Sequence, residues 1–170
     1  MRYVVDQAKG GVLPLNDETK ALFKKLHPDS EEAIPETLIT GDIPEDVNPI
    51  VFDALDSSLI KKCALRTEGA AGVSQADDRL WHKMVSSYKE TSSELCRAVA
   101  AATRRFATEL VDPESLEALL ANRGIPLDKC PGLRPVGIGE VKRRVMGKAI
   151  MEIVGKDVQM AAGTLQLYAG

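Results

Sequence analysis

Aromatic side chains are scarce in this chain: three Phe, three Tyr and one Trp among 170 residues, 4% in all. A core with so few rings must be aliphatic and alanine-rich, and Trp81 reads as a core anchor before a base-stacking platform. Cysteine and histidine are sparse too. Cys63, Cys96 and Cys130 form an odd, widely spaced set, and His27 and His82 are the only imidazoles. Neither a disulfide framework nor a zinc site is indicated, and a reducing, intracellular compartment, cytoplasmic or nuclear, fits. No run approaches the roughly 18 apolar residues of a membrane helix, and residues 1–11, MRYVVDQAKGG, lack the apolar centre of a signal peptide. The 25 acids show no spacing that builds a two-metal site. They read as solvated faces and helix N-termini.

What remains describes a globular chain. Hydrophobic residues make up 44% and charged residues 28%, outside the disordered range. The net charge of −3 is unevenly spread: residues 1–60 carry 5 bases and 12 acids, residues 61–120 carry 9 of each, and residues 121–170 carry 8 bases and 4 acids. The cationic surplus is confined to the last of these segments, so the local field there can be positive. The organisation predicted is an acidic N-terminal extension over 1–66, with a proline-rich connection between Pro28 and Pro49, followed by a second region over 67–170.

Several helices can be read from caps and periodicity. Asn16 caps a helix to about Leu26, with Asp17 and Glu18 in its first turn. Residues 52–65 read as helical in two pieces, Asp56 serving as an internal cap. A turn from Gly69 to Gly72 precedes a helix near Asp77 to Tyr88, on which Trp81 and Val85 share a face. Thr91 to Glu94 spells a capping box, after which Leu95, Val99, Ala102, Phe106 and Leu110 mark a buried face; Arg97, Arg104 and Arg105 lie off it, on a solvated surface. Asp112 and Pro113 open a further helix that Gly124 stops.

The segment Ile125 to Met151 is the most informative. Cys130-Pro131-Gly132 predicts a tight turn between two extended runs, Ile125 to Leu127 and Leu133 to Ile138, and the prolines suggest edge strands. Lys129 and Arg134 flank that turn. A basic helix follows from about Gly139, with Val141, Val145, Ile150, Ile153 and Val154 inward and Lys142, Arg143, Arg144 and Lys148 outward. Cations at a hairpin tip beside a basic helix suit a polyphosphate or a nucleic-acid backbone. The competing structural reading has the cations solvating a helix face, Arg134 paired with Asp128 or Glu140, and Gly137 and Gly139 serving turns alone.

This segment resembles the fingers of reverse transcriptases. In group II intron and non-LTR retroelement enzymes an Ile-Pro-Lys, turn, Gly-x-Arg-Pro hairpin precedes a helix rich in Arg and Lys. The corresponding residues here are Ile125 to Lys129, Gly132 to Ile138 and Glu140 to Met151. An upstream block, Thr67 to Asp77, is similar to the glycine-containing block before that hairpin, with Val73 where the family has Pro and Gln75 where it has Gly. The resemblance runs from about Leu15 to Gly170. It implies that Lys129 and Arg134 bind the incoming nucleotide triphosphate and that Arg143, Arg144 and Lys148 contact template. The family's catalytic carboxylates and their Mg²⁺ belong to a palm domain that would follow Gly170, and no Tyr-x-Asp-Asp occurs in this chain. No catalytic residue and no metal or other cofactor is therefore expected within it.

The expectation is an α+β, mainly helical piece: the N-terminal extension and fingers of an RNA-directed DNA polymerase. Its partners would be RNA template and primer, a deoxynucleotide triphosphate and the missing palm, with no membrane. The alternative is a small helical nucleic-acid-binding or protein-interaction module with no enzymatic role.

Overall fold

The structure is a computed structural model describing residues 11–28, 48–109, 111–129 and 132–163. It is α+β and mainly helical. The helices are α1 (Asp17–Leu26), α2 (Ser57–Leu65), α3 (Asp78–Ser86), α4 (Glu90–Thr108), α5 (Glu117–Leu120) and α6 (Val141–Ala162). A two-stranded sheet pairs β1 (Asn122–Asp128) with β2 (Leu133–Gly139), and tight 3-10 turns occupy Pro49–Phe52 and Pro113–Leu116. Among the described residues no helix is long and apolar enough to cross a membrane.

The chain divides into two compact units, each drawn from distant segments. One comprises Met1–Ile43 and Asn122–Ile138; the other comprises Pro44–Ala121 and Gly139–Gly170.

In the first unit, Asn16 caps α1 as its sequence predicts: its side-chain oxygen accepts the Thr19 N–H at 2.8 Å. Asp17 and Glu18 at the start and Lys24 and Lys25 at the end of the helix oppose its dipole. The hairpin's prolines predict edge strands, yet β1 is covered on its second edge. Val12 bridges antiparallel to Leu127, the Leu13 N–H donates to the Pro126 carbonyl and the Asp128 N–H to the Gly11 carbonyl, each at 2.9 Å. Pro126 has no N–H to give there, and its carbonyl alone holds the contact. Gly124, expected as a helix stop, lies within β1 instead. The Phe23 ring packs on it, and a Cβ at that position would stand 3.1–3.3 Å from ring carbons.

The second unit holds the main core. Leu55, Ile60, Val85, Val141, Val145 and Ala149 are fully buried or nearly so, and Trp81 joins them at 6% exposure, a core anchor as its position implies. Asp56 caps α2 by accepting the Leu59 N–H at 2.8 Å, and Asp77 caps α3 by accepting the Leu80 N–H at 2.8 Å. On α6 the inward residues are Val141, Val145, Met146 and Ala149, while Ile150, Ile153 and Val154 are partly buried against the core.

The capping box at Thr91 does not form. Helix α4 starts at Glu90, with Lys89 as a cap that makes no side-chain bond, and Ser92 Oγ accepts the Tyr88 N–H at 2.9 Å. Its buried face is Ser92, Cys96, Val99, Ala100 and Thr103, rotated from the predicted one, and Phe106 is 37% exposed; Leu110 lies outside the described residues. Thr103 can be buried because its hydroxyl donates to the Val99 carbonyl at 2.7 Å. Arg97 and Arg105 are exposed in ion pairs with Glu90 and Glu109, but Arg104 turns to the Leu55 carbonyl at 2.9 Å.

Candidate nucleic-acid interface

The hairpin cations belong to the first unit. Lys129 closes the turn through its backbone, its N–H donating to the Gly132 carbonyl at 3.1 Å. Gly132 takes φ 109°, a conformation that favours glycine; Cys130 and Pro131 lie outside the described residues. Lys129 and Arg134 are both exposed, and neither side chain has a hydrogen bond or ion pair among the described residues. The pairing of Arg134 with Glu140 is absent, because Glu140 is engaged elsewhere. Gly137 stands opposite Asn122, where a Cβ would meet that residue's Cβ at 3.4 Å.

The helix cations belong to the second unit, and three of the four, Arg143, Arg144 and Lys148, donate to backbone carbonyls of that unit. Arg144 donates to the carbonyls of Glu68 at 2.8 Å and Ala70 at 2.6 Å, and Lys148 to that of Arg66 at 3.0 Å. These acceptors sit at and just beyond the C-terminus of α2, where unpaired carbonyls and the negative end of the helix dipole attract cations. Arg143 donates to the Leu120 carbonyl at 2.8 Å, and its guanidinium fills the space above Gly139 that a side chain there would need. Arg143 and Arg144 are thus half-buried, whereas Lys142 and Lys148 are exposed. The Arg144 Nε is buried and has no hydrogen-bond partner among the described residues.

Glu140 completes this arrangement, in place of the pairing with Arg134 that its sequence position allows. Its carboxylate accepts from the Ser74 N–H at 2.7 Å and the Ser74 hydroxyl at 2.6 Å. Those bonds, the hydroxyl's first, hold its carboxyl below the usual glutamate range. Gly72 lies so close that a Cβ would stand 2.7 Å from the Glu140 Oε1. On the other side, Asp78 accepts the Gly69 N–H at 2.9 Å, which draws its carboxyl down in the same way. His82 Nε2 lies 3.0 Å from the Thr67 carbonyl, donating to it. Residues 66–74 are therefore fixed from both sides, by α3 and by α6. The two blocks singled out in the sequence, Thr67 to Asp77 and the stretch from Glu140, are partners in one structure.

Chemically, the hairpin offers two exposed cations, Lys129 and Arg134. Among the described residues no group of three His, Cys, Asp or Glu side chains could hold a metal ion. No protein-family model matches the chain, and no curated protein or solved structure is significantly similar to it.

Proposed function

We propose that this chain is the N-terminal extension and fingers portion of an RNA-directed DNA polymerase, contributing nucleotide and template contacts to chemistry carried out by a palm domain with Mg²⁺. In this reading Lys129 and Arg134 take the triphosphate, Arg by a bidentate fork and Lys as a compact charge. Arg143, Arg144 and Lys148 face the template backbone in this reading; Lys148 is exposed and gives one of its three N–H groups to the Arg66 carbonyl.

One observation carries the reading: a hairpin whose two flanking cations are exposed and have no side-chain partner among the described residues, continuing through Gly139 into a basic helix. Two further features support it. The glycine-containing block packs against the start of that helix, and Gln75, where the resemblance expects glycine, takes φ 63°.

The inward bonds of Arg144 and Lys148 favour the rival reading in one respect, since they account for those cations without any template. Filter or anisotropy binding of an RNA–DNA primer–template against salt separates the two. Lys129→Ala and Arg134→Ala should each weaken binding roughly tenfold and lower the salt slope by about 1, with a parallel loss of deoxynucleotide triphosphate affinity. Binding that neither substitution alters would overturn the polymerase reading.

A further inference from the structure

Helix α1 carries Lys20, Phe23 and Lys24 on one stripe, and His27, the residue that caps its C-terminus, lies beside them. With Leu15 and Gly124 they line an open cleft of about 340 Å³, at the small end of the roughly 300–1,000 Å³ range of ligand sites. Its floor is aromatic. Phe23 is half-buried with its ring held against Gly124, and the His27 ring lies 5.9 Å away, tilted by 34°. Its rim is cationic and weakly neutralised. Lys20 reaches Asp17 only at 3.5 Å with both side chains largely exposed, a pairing of little strength, and Lys24 has no side-chain partner among the described residues.

A flat ring surface selects a planar group, and two lysines one helical turn apart select an anion attached to it. We infer that this cleft binds a nucleobase with its phosphate: one nucleotide stacked on Phe23 and His27, its phosphate oxygens on Lys20 and Lys24. Single-strand sites are built this way, from cations that follow the backbone and aromatic rings that accept any base. The chemistry is shared by a strand and a free nucleotide, and a strand is favoured because the cleft is open and lets the chain of phosphates run past it. The inference uses none of the hairpin cations and holds under either reading of the protein's function.

The test is photocrosslinking of the full chain to a bromouridine-substituted oligonucleotide, with adducts located by mass spectrometry, alongside affinity measurement. Adducts on Phe23 or His27 are expected. Phe23→Leu keeps an apolar group on Gly124 but removes the ring, and should weaken binding roughly tenfold. The surface double variant Lys20→Gln/Lys24→Gln, which disturbs no packing, should weaken it similarly and lower the salt slope by about 2. Binding of free uridine monophosphate that displaces the oligonucleotide and responds to both variants would make a free nucleotide the occupant; displacement by oligonucleotide alone would make it a strand. The inference fails if no adduct falls within residues 20–27, or if both variants bind oligonucleotide and nucleotide as the native chain does. It also fails if neither ligand binds.

Discussion

Lys89 takes φ 48° and ψ −117° at the cap of α4, a conformation that costs a residue with a Cβ of order 1 kcal/mol or more. The chain tolerates it because the turn into α4 is fixed around it: the Thr91 and Ser93 N–H groups donate to the Tyr88 and Lys89 carbonyls, and Ser92 takes the Tyr88 N–H. Lys89→Gly should therefore raise stability by about 1 kcal/mol, read as a higher urea midpoint, while Lys89→Ala should not. An unchanged or lower midpoint for the glycine variant would show that the strain is absent in solution.

Among the elements, the loop at 66–74 and its clamp on α6 make the sharpest prediction. Removing Arg144 leaves the exposed Glu68 and Ala70 carbonyls to water, so Arg144→Ala should destabilise the chain by about 0.5–1.5 kcal/mol. Arg144→Lys, which lacks the fork, should restore only part of this. Urea denaturation measures both, and a neutral Arg144→Ala would mean that the guanidinium is not committed to the loop. The helices themselves are legible where a cap and an apolar stripe agree: Asn16 and Asp56 each cap the helix that their position implies, and the helix expected near Asp77 starts there, with Asp77 as its cap. The rest was hidden for physical reasons. Thr91 spells a capping box that loses to a cap two residues earlier, at Lys89, and Thr103 is a polar residue made buriable by a bond to its own helix. Gly124 looked like a stop because nothing local reveals that a phenylalanine a hundred residues away needs its missing side chain. The site was half legible. Exposed cations at the turn follow from hairpin geometry, but the inward commitment of Arg143, Arg144 and Lys148 depends on carbonyls distant in sequence, and no pattern in α6 announces them.

For the molecule as a whole, the carboxylates set the response to acid. Asp56, Asp78, Glu140 and Glu152 are all held below their usual range. The first three owe this mainly to hydrogen bonds from Leu59, Gly69 and Ser74, and Glu152 to its bond with Lys62. Each binds protons less readily folded than unfolded, so each contributes stability that is present above the ordinary carboxylate range and lost as pH falls through its depressed value. Thermal melts should accordingly be flat from neutral pH down to about 5 and fall below about 4, where unperturbed carboxylates begin to protonate. The stability margin of the native chain over Glu140→Gln should shrink over the same interval. A margin that persists at pH 3 would exclude Glu140 from the acid response.

The second unit closes only when α6 docks, and α6 lies beyond the hairpin. During synthesis α4 is finished at Thr108, while the last fully buried residue of α6, Ala149, is added about 40 residues later. At the usual 5–20 residues per second that interval is roughly 2–8 s. Throughout it Ile60 of α2 and Val99 of α4 have no Val141, Val145 or Ala149 to cover them. A nascent chain whose hairpin is emerging from the exit tunnel thus presents the ribosome's surroundings with an open aliphatic seam, and holdase binding should peak there and vanish once Ala149 has cleared the tunnel too.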